Sequence, residues 1–321
     1  MVEAIEGLRV LVTGGAGFIG SHTCDYLLEH GAEILVLDHP DGRNLANLAH
    51  LNGRQLEVEG LDVTKGGILM RAVGAFRPHA VIHLAALVSV QESIDNPALN
   101  FKRNVEATHL LIDAVRQYGV SRIVYASSAA VYGEPQKLPV SENAEKEPMS
   151  PYGAAKLASE YLLAAASRCY GFSCVSYRYF NVFGARQDPG SPYSGVISIF
   201  LKQFAAGRPV TIFGDGSQTR DFIYVKDVAR ANALAAAAAL EGPHSMNLCR
   251  GQAVSLGRLL GEFQMHFPGA PAPCYEPFRS GDILHSEGDP RLVKKKLGYS
   301  AVTPLREGLE QFIHSAAIAS P

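Results

Sequence analysis

Short apolar runs recur along the first half of the chain, and the segments between them carry helical patterns. The runs are LRVLV (8–12), EILVLD (33–38), QLEVEG (55–60), AVIHLAA (80–86), RIVYASS (122–128) and SCVSYR (173–178). Their length and β-branched content predict strands, and the intervening segments predict helices near 18–30, 97–118 and 152–170. Strands alternating with helices imply βαβ units in one parallel sheet. The runs are too continuously apolar for a sheet with a wet face, so helices are expected over both sides. After Phe180 the texture changes. GARQDPGSPYSG is loop-rich, PVTIFGDGSQTRDFIYV reads as short strands around a turn, and 271–282 is proline-rich. The pattern divides the chain into a first domain at 1–180, to which 226–250 with its alanine-rich helix (227–240) returns, and a smaller, irregular α/β domain made of 181–225 and 251–321.

Composition narrows the partners. With 321 residues, 47% apolar and 19% charged, the chain is long enough for two modest domains with a substantial core. A formal net charge of −2 gives no electrostatic reason to expect nucleic acid or an acidic membrane as the main partner. Five scattered cysteines without CxxC or Cys/His spacing read as reduced thiols in a cytosolic protein, and no metal is expected. The start lacks a basic segment followed by a long apolar core, and the alanine-rich run at 231–240 is too short to span a bilayer, so the expected location is cytoplasmic.

Directly after the first strand comes TGGAGFIGSH, with Gly14, Gly17 and Gly20 spaced GxxGxxG. Glycine permits a tight turn, a close approach of backbone to a pyrophosphate and close packing of helix on strand; the helix N-terminus presents free N–H groups to an anion. Between a predicted strand and a predicted helix, this motif points to a dinucleotide and a Rossmann-type doubly wound sheet. The second strand ends in Asp38, placed to accept hydrogen bonds from an adenosine ribose. A carboxylate there repels a 2′-phosphate, which favours NAD over NADP, although Arg43 nearby is a residue that meets phosphate.

A second constellation lies in SPYGAAKLASEY (150–161). Tyr152 and Lys156 are four apart and share a helix face. A free phenol titrates near pH ~10, so a tyrosine base working near neutrality needs a shift of roughly 3 units, about 4 kcal/mol, from neighbouring positive charge. One lysine supplies part of it.

The sequence resembles the extended short-chain dehydrogenase/reductase family, and within it the NAD-dependent nucleotide-sugar epimerases, over essentially its whole length. The matching stretches are TGGAGFIG, LDV (61–63), HLAA (83–86), ASSAAVYG (126–133), YGAAK (152–156), RYFNVFG (178–184), TRDFIYV (219–225) and RSGD (279–282). The resemblance implies NAD held by Gly14, Gly17, Phe18, Ile19, Gly20 and Asp38, with Asp62 and Val63 against the adenine. Leu84, Ala85 and Ala86 would line the dinucleotide, and Tyr179 and Asn181 would sit near the nicotinamide and the sugar. It makes Lys156 the holder of the nicotinamide ribose, and its charge, with that of the nicotinamide ring, the stabiliser of a Tyr152 phenolate. Ser128 rather than Ser127 is implied as the partner of the reacting hydroxyl, because it stands three residues before Val131-Tyr132-Gly133. The implied reaction removes hydride from C4 of a UDP-sugar, turns the ketone over and returns hydride to the other face. Arg220, Arg279 and Asp282 match positions that hold the diphosphate and nucleoside ribose, and Val196, Thr211 and Phe213 match positions around the pyrimidine.

Departures within these motifs narrow the chemistry. Dehydratases of this kind carry an Asp-Glu pair just before the VYG stretch, and decarboxylating relatives keep a glutamate at its second place; this chain has Ala129 and Ala130. A methyl group cannot serve as acid or base. Some 4-epimerases carry a tyrosine four residues beyond the aspartate of the RxxD pair, closing the pocket beside the sugar 2-substituent. Ser286 stands there instead, which leaves room for an N-acetyl group and predicts UDP-GlcNAc/UDP-GalNAc as substrates beside UDP-Glc/UDP-Gal. Val88 replaces a lysine of some epimerases. A UDP-uronic acid 4-epimerase, a ketosugar reductase and a catalytically silent NAD-binding regulator stand as alternatives. The helices near 97–118 and 152–170 resemble those of a four-helix dimer interface, so a homodimer is expected.

Overall fold

A computed structural model describes residues 4–39, 41, 45–51, 53–187, 195–278 and 283–319. Strands form at all six apolar runs: β1 (Arg9–Thr13), β2 (Glu33–Asp38), β3 (Leu56–Gly60), β4 (Ala80–His83), β5 (Arg122–Ser128) and β6 (Ser173–Tyr179). Beyond them lie β7 (Asn181–Phe183), β8 (Thr211–Phe213), β9 (Thr219–Tyr224), β10 (Pro243–Leu248), β11 (Ala253–Ser255) and β12 (Cys274–Glu276). Seven of these make one parallel sheet in the order β10-β6-β5-β4-β1-β2-β3. The order reverses beside β1, and a doubly wound sheet opens a crevice at such a point.

Helices cover both faces because successive strand residues point to opposite sides. Val10 and Val12 of β1 enter one core with Ile34, Val36 and Met246, and Leu11 enters the other with Leu35, Val81 and Ile123. The first core is closed by α1 (Phe18–Glu29), the second by α2 (Gly66–Phe76). Next in the chain come α3 (Val90–Asp95), α4 (Pro97–Phe101), α5 (Ala107–Tyr118) and α6 (Pro151–Tyr170), followed by α7 (Val196–Ala205), α8 (Val225–Ala237) and α9 (Leu256–His266). The alanine-rich α8 lies against α1, its small side chains buried from Ala229 to Ala236. A separate aromatic core of Phe200, Phe204, Phe222 and Phe263 holds α7, α9 and β9 together.

The sheet departs from the expected double cover at β3, where Glu57, Val58 and Glu59 are exposed. It is an edge strand, and its glutamates discourage pairing with another chain. The helix expected over 97–118 is interrupted by a π turn at Lys102–Glu106. Asn104 in that turn is buried, donates to the Leu87 carbonyl (3.0 Å) and accepts from the Leu87 amide (2.9 Å). The strands expected around the GDGSQ turn do form, as β8 and β9, yet they do not pair with each other. Gly214 and Gly216 both adopt positive φ, Asp215 caps Ser217, and the chain leaves β8 to pair with β12 while β9 lies between β7 and β11.

Candidate active site

The C-terminal ends of the strands form a line, from Asp62 beyond β3 through Asp38, the glycine loop, Leu84–Ala86 and Ser128 to Asn181 beyond β6. From β2 to β5 this line spans three strand spacings, roughly 14 Å. The glycine loop leaves β1 with Gly14 at φ +69°, where an added Cβ would come within 2.8 Å of the Ala85 amide nitrogen. At Gly20 a Cβ would lie 2.2 Å from the Gly14 carbonyl oxygen, so α1 can approach the loop this closely only with glycine there. Gly17 precedes α1 and offers no side-chain cap, which leaves the first amides of the helix, those of Phe18, Ile19 and Gly20, at the end facing the loop. Asp38 accepts from the Ala16 amide (2.8 Å) with one carboxylate oxygen and from its neighbour His39 with the other (2.8 Å). It therefore ties the end of β2 to the glycine loop. Asp62 is held by the amide and hydroxyl of Thr64; burial pushes its carboxyl up, but these bonds outweigh it and the net direction is down. A bare cradle of backbone amides, closed to any Cβ and flanked by two carboxylates, fits a dinucleotide with its pyrophosphate over the helix end and its ribose at Asp38.

Farther along the line, α6 begins with Ser150 capping Gly153, and Tyr152 and Lys156 fall on the face turned to β5. The Tyr152 amide donates to Ser93 Oγ (3.1 Å), fixing the first turn on α3. Lys156 is 3% exposed, donates from Nζ to the Ala126 carbonyl (2.8 Å), and lies 5.8 Å from the Tyr152 ring centre and 5.0 Å from that of Tyr125. Ser128 Oγ accepts from the Ala130 amide (3.2 Å) and lies close enough to the Tyr152 phenol to ease its ionisation. The neighbouring Ser127 turns to the opposite side of β5 and donates to the buried carboxylate of Glu160. The two serines of SSAAVYG are thereby separated: Ser128 lines the cavity described below, and Ser127 is spent in the core.

Electrostatics modify the expected phenolate. Burial pushes the Tyr152 phenol above its ordinary value, against which the neighbouring Ser128 hydroxyl pulls down. Burial pushes Lys156 down to about 7, opposed by the charge of Glu160. In the protein alone the phenol stays above its ordinary value, and the expected phenolate belongs to the state in which the nicotinamide charge joins that of Lys156.

A cavity of about 360 Å³ opens beside Ser128 and is lined by Ala129, Ala130, Asn181, Arg220 and Ser286, among others. Ser286 is held by its amide on the Thr219 carbonyl (3.2 Å), and Arg220 donates to the Thr219 and Leu284 carbonyls (2.8 and 3.3 Å). Tyr179 reaches this wall, and its hydroxyl donates to Asn232 on α8 (2.7 Å). Val63 and Leu84 pack partly buried against the two sheet cores. Val196 opens α7, and Thr211 and Phe213 bound β8; none of the three lines this cavity. Val88 is exposed. Arg43, Arg279 and Asp282 lie outside the described residues.

Two groups escaped the motif reading. His83 closes β4, with Nδ1 2.7 Å from Thr13 Oγ1 and Nε2 3.3 Å from Thr108 Oγ1, and burial pushes it down to about 3, so the ring is neutral. Glu160 is the other; its position four residues beyond Lys156, on the same helix face, was the signal available in sequence.

A glycine cradle, a Tyr-Lys helix face and a serine at the end of β5 lie along one crevice. The model of the NAD dependent epimerase/dehydratase family matches residues 10–249. The chain belongs to that family. Its cofactor is NAD, and with Ala129 and Ala130 at the cavity wall it is an NAD-dependent epimerase rather than a dehydratase. It is 35% identical to the UDP-glucose 4-epimerase of Mycolicibacterium smegmatis over 308 residues, covering 95% of this chain and 97% of that one. Among solved structures, it is similar to the UDP-N-acetylglucosamine 4-epimerase from Methanobrevibacter ruminantium in complex with UDP-N-acetylmuramic acid. That likeness has a TM-score of 0.92 and 33% identity, over 98% of this chain and 99% of that chain. The UDP-glucose 4-epimerase of Thermotoga maritima with UDP-glucose aligns with a TM-score of 0.91 and 34% identity, over 98% and 100%.

Proposed function

We propose that the protein inverts C4 of UDP-hexoses and accepts UDP-GlcNAc/UDP-GalNAc as well as UDP-Glc/UDP-Gal. The observation that carries this reading is the cavity wall beside Ser128, where Ser286 leaves space and Ala129 and Ala130 offer no acid or base of their own. Bound NAD would supply the acceptor and donor of the hydride exchanged at C4. Tyr152 takes the proton of the 4-hydroxyl and later returns it, Ser128 holds that hydroxyl, and Lys156 holds the nicotinamide ribose from the core side of the phenol. Gly14, Gly17 and Gly20 cradle the pyrophosphate, with Asp38 on the adenosine ribose and Asp62 and Val63 beside the adenine. Leu84, Ala85 and Ala86 flank the dinucleotide. Arg220, Arg279 and Asp282 hold the UDP diphosphate and ribose, and Val196, Thr211 and Phe213 surround the uracil. Asn181 faces the sugar. The five free cysteines fit work in the cytosol, and the protein acts as a homodimer. Residues 1–180 with 226–250 carry the cofactor, and the remainder carries the nucleotide sugar.

The test is a proton NMR time course with UDP-Glc and UDP-GlcNAc in parallel, using protein to which no NAD is added. Both sugars are expected to approach a 4-epimer equilibrium without net redox change. Conversion of neither, or turnover only when stoichiometric NADH is supplied, overturns the reading. Ser286→Tyr is expected to depress turnover of the acetylated pair by roughly 10- to 100-fold while largely sparing the plain hexoses; equal losses on both remove the role of Ser286.

A further inference from the structure

We propose that Glu160 is a positioning residue for this reaction: its carboxylate, one helical turn beyond Lys156, favours the ammonium behind the phenol and pins the end of β5 so that Ser128 faces the sugar. The proposal rests on the epimerase reading for its consequence, and on geometry for its substance. Glu160 is 3% exposed and sits one helical turn beyond Lys156. It accepts from Ser127 Oγ, from Arg178 Nε (3.0 Å) and Nη2 (2.7 Å), and from Ser245 Oγ (3.2 Å). Ser127 and Arg178 are register partners on β5 and β6, directly preceding the pair Ser128 and Tyr179. One carboxylate therefore spans β5, β6 and β10 immediately beneath the site.

The last three residues of β5 are gripped in turn. Lys156 holds the Ala126 carbonyl, Glu160 holds the Ser127 hydroxyl, and pleat alternation then sends Ser128 to the open face. The groups facing Lys156 are Tyr152 and Glu160 on α6, Tyr125 on β5 and the neutral His83 on β4. Among the described residues Glu160 is the group whose negative charge favours the ammonium, since Tyr125 is buried and stays protonated. Arg178 faces Glu160 rather than the lysine, pairs with its carboxylate at 2.7 Å and extends to Tyr132 Oη (2.9 Å). Desolvation alone would leave Lys156 neutral near physiological pH; Glu160 opposes this.

The experiment follows the Lys156 side chain directly, by NMR of protein carrying 13Cε-lysine, with Lys156→Met identifying the resonance. Glu160→Gln is expected to move the Lys156 midpoint down by about one unit or more, and to move the alkaline limb of the kcat profile with it. Glu160→Asp, which keeps the charge and shortens the reach, retains the wild-type midpoint even where it lowers thermal stability. Since Glu160→Gln strands a buried guanidinium and can fail to fold, the double variant Glu160→Gln with Arg178→Met, which neutralises the pair, is measured beside it. Its midpoint is also expected below that of the wild type. An unchanged midpoint in the folded neutral variants, with activity lost, overturns the proposal and leaves Glu160 a packing residue. A shifted midpoint in a protein that epimerises no UDP-sugar upholds the electrostatic role and sinks the functional reading instead.

Discussion

A tyrosine and a lysine four residues apart become chemistry only when burial, charge and a third hydroxyl converge on them. Here burial acts against both ionised forms, raising the Tyr152 phenol and bringing Lys156 down to about 7, so the site relies on groups brought against the pair rather than on the pair alone. Loss of the phenol should therefore be unforgiving. Tyr152→Phe keeps the ring and its packing, and is expected to cut kcat by about 10²- to 10⁴-fold with the melting temperature little changed; epimerisation at the wild-type rate would remove Tyr152 from the reaction. Gly20 makes a different demand, of space. In Gly20→Ala the new methyl meets the backbone carbonyl of Gly14 at 2.2 Å, and the variant is expected to lose about 1–3 kcal/mol of stability together with its bound NAD. Denaturant unfolding and the cofactor content of the purified protein report the two effects separately.

At the scale of elements, what the sequence made legible follows from period. Strands buried on both faces are continuous apolar runs, and β2 and β5 lie where EILVLD and RIVYASS place them. Period fails where a side chain overrides it. The π turn at Lys102–Glu106 is set by Asn104 bonding the Leu87 backbone, and nothing in the helical spacing of 97–118 announces a contact to a residue 17 positions earlier. The partners of β8 and β9 escaped for a related reason: turn residues show that the chain bends, and long-range packing decides which strand it meets. The site shows the same division. The glycine cradle and the Tyr-Lys face are local patterns, whereas the commitment of the Tyr179 hydroxyl to Asn232, 53 residues away, is not. Contacts between elements also set the acid limit. His22 on α1 is pushed down to about 4, chiefly by burial, with its bond to the Ala185 carbonyl opposing; His83 is pushed down to about 3. Folding favours the neutral rings, so their contribution is complete above the unfolded value near ~6.5 and is lost as pH falls through the folded values. Melting temperature is expected to fall steadily from pH 6.5 toward pH 4, and His22→Asn to flatten that slope. A slope unaffected by this substitution would place the acid sensitivity elsewhere.

For the whole molecule, the remaining question is what covers the helices that carry the reactive pair. Phe101 at the end of α4 is 58% exposed and Tyr161 on α6 is 62% exposed, with Val90 and Ile94 on α3 and Leu162 on α6 also open to water. Single exposed apolar residues are ordinary, but several large ones on helices that touch one another are the kind of surface that marks an interface. The proposed homodimer brings that patch against its own copy about a two-fold axis, where every contact occurs twice. Each Phe- or Tyr-sized side chain removed from water contributes roughly 1.5–3 kcal/mol, so Phe101 and Tyr161 alone, counted on both copies, offset a large part of the association entropy. Such packing would also steady α6, the helix that aims Tyr152 and Lys156. Phe101→Glu with Tyr161→Glu places four carboxylates on the axis in place of four rings. Sedimentation equilibrium at micromolar protein is expected to show a dimer for the wild type and a folded monomer for the double variant, with turnover reduced and the NAD content retained. A wild-type monomer, or a double variant that still dimerises, would mean that another surface, or none, joins the copies and that α6 is held by its own subunit.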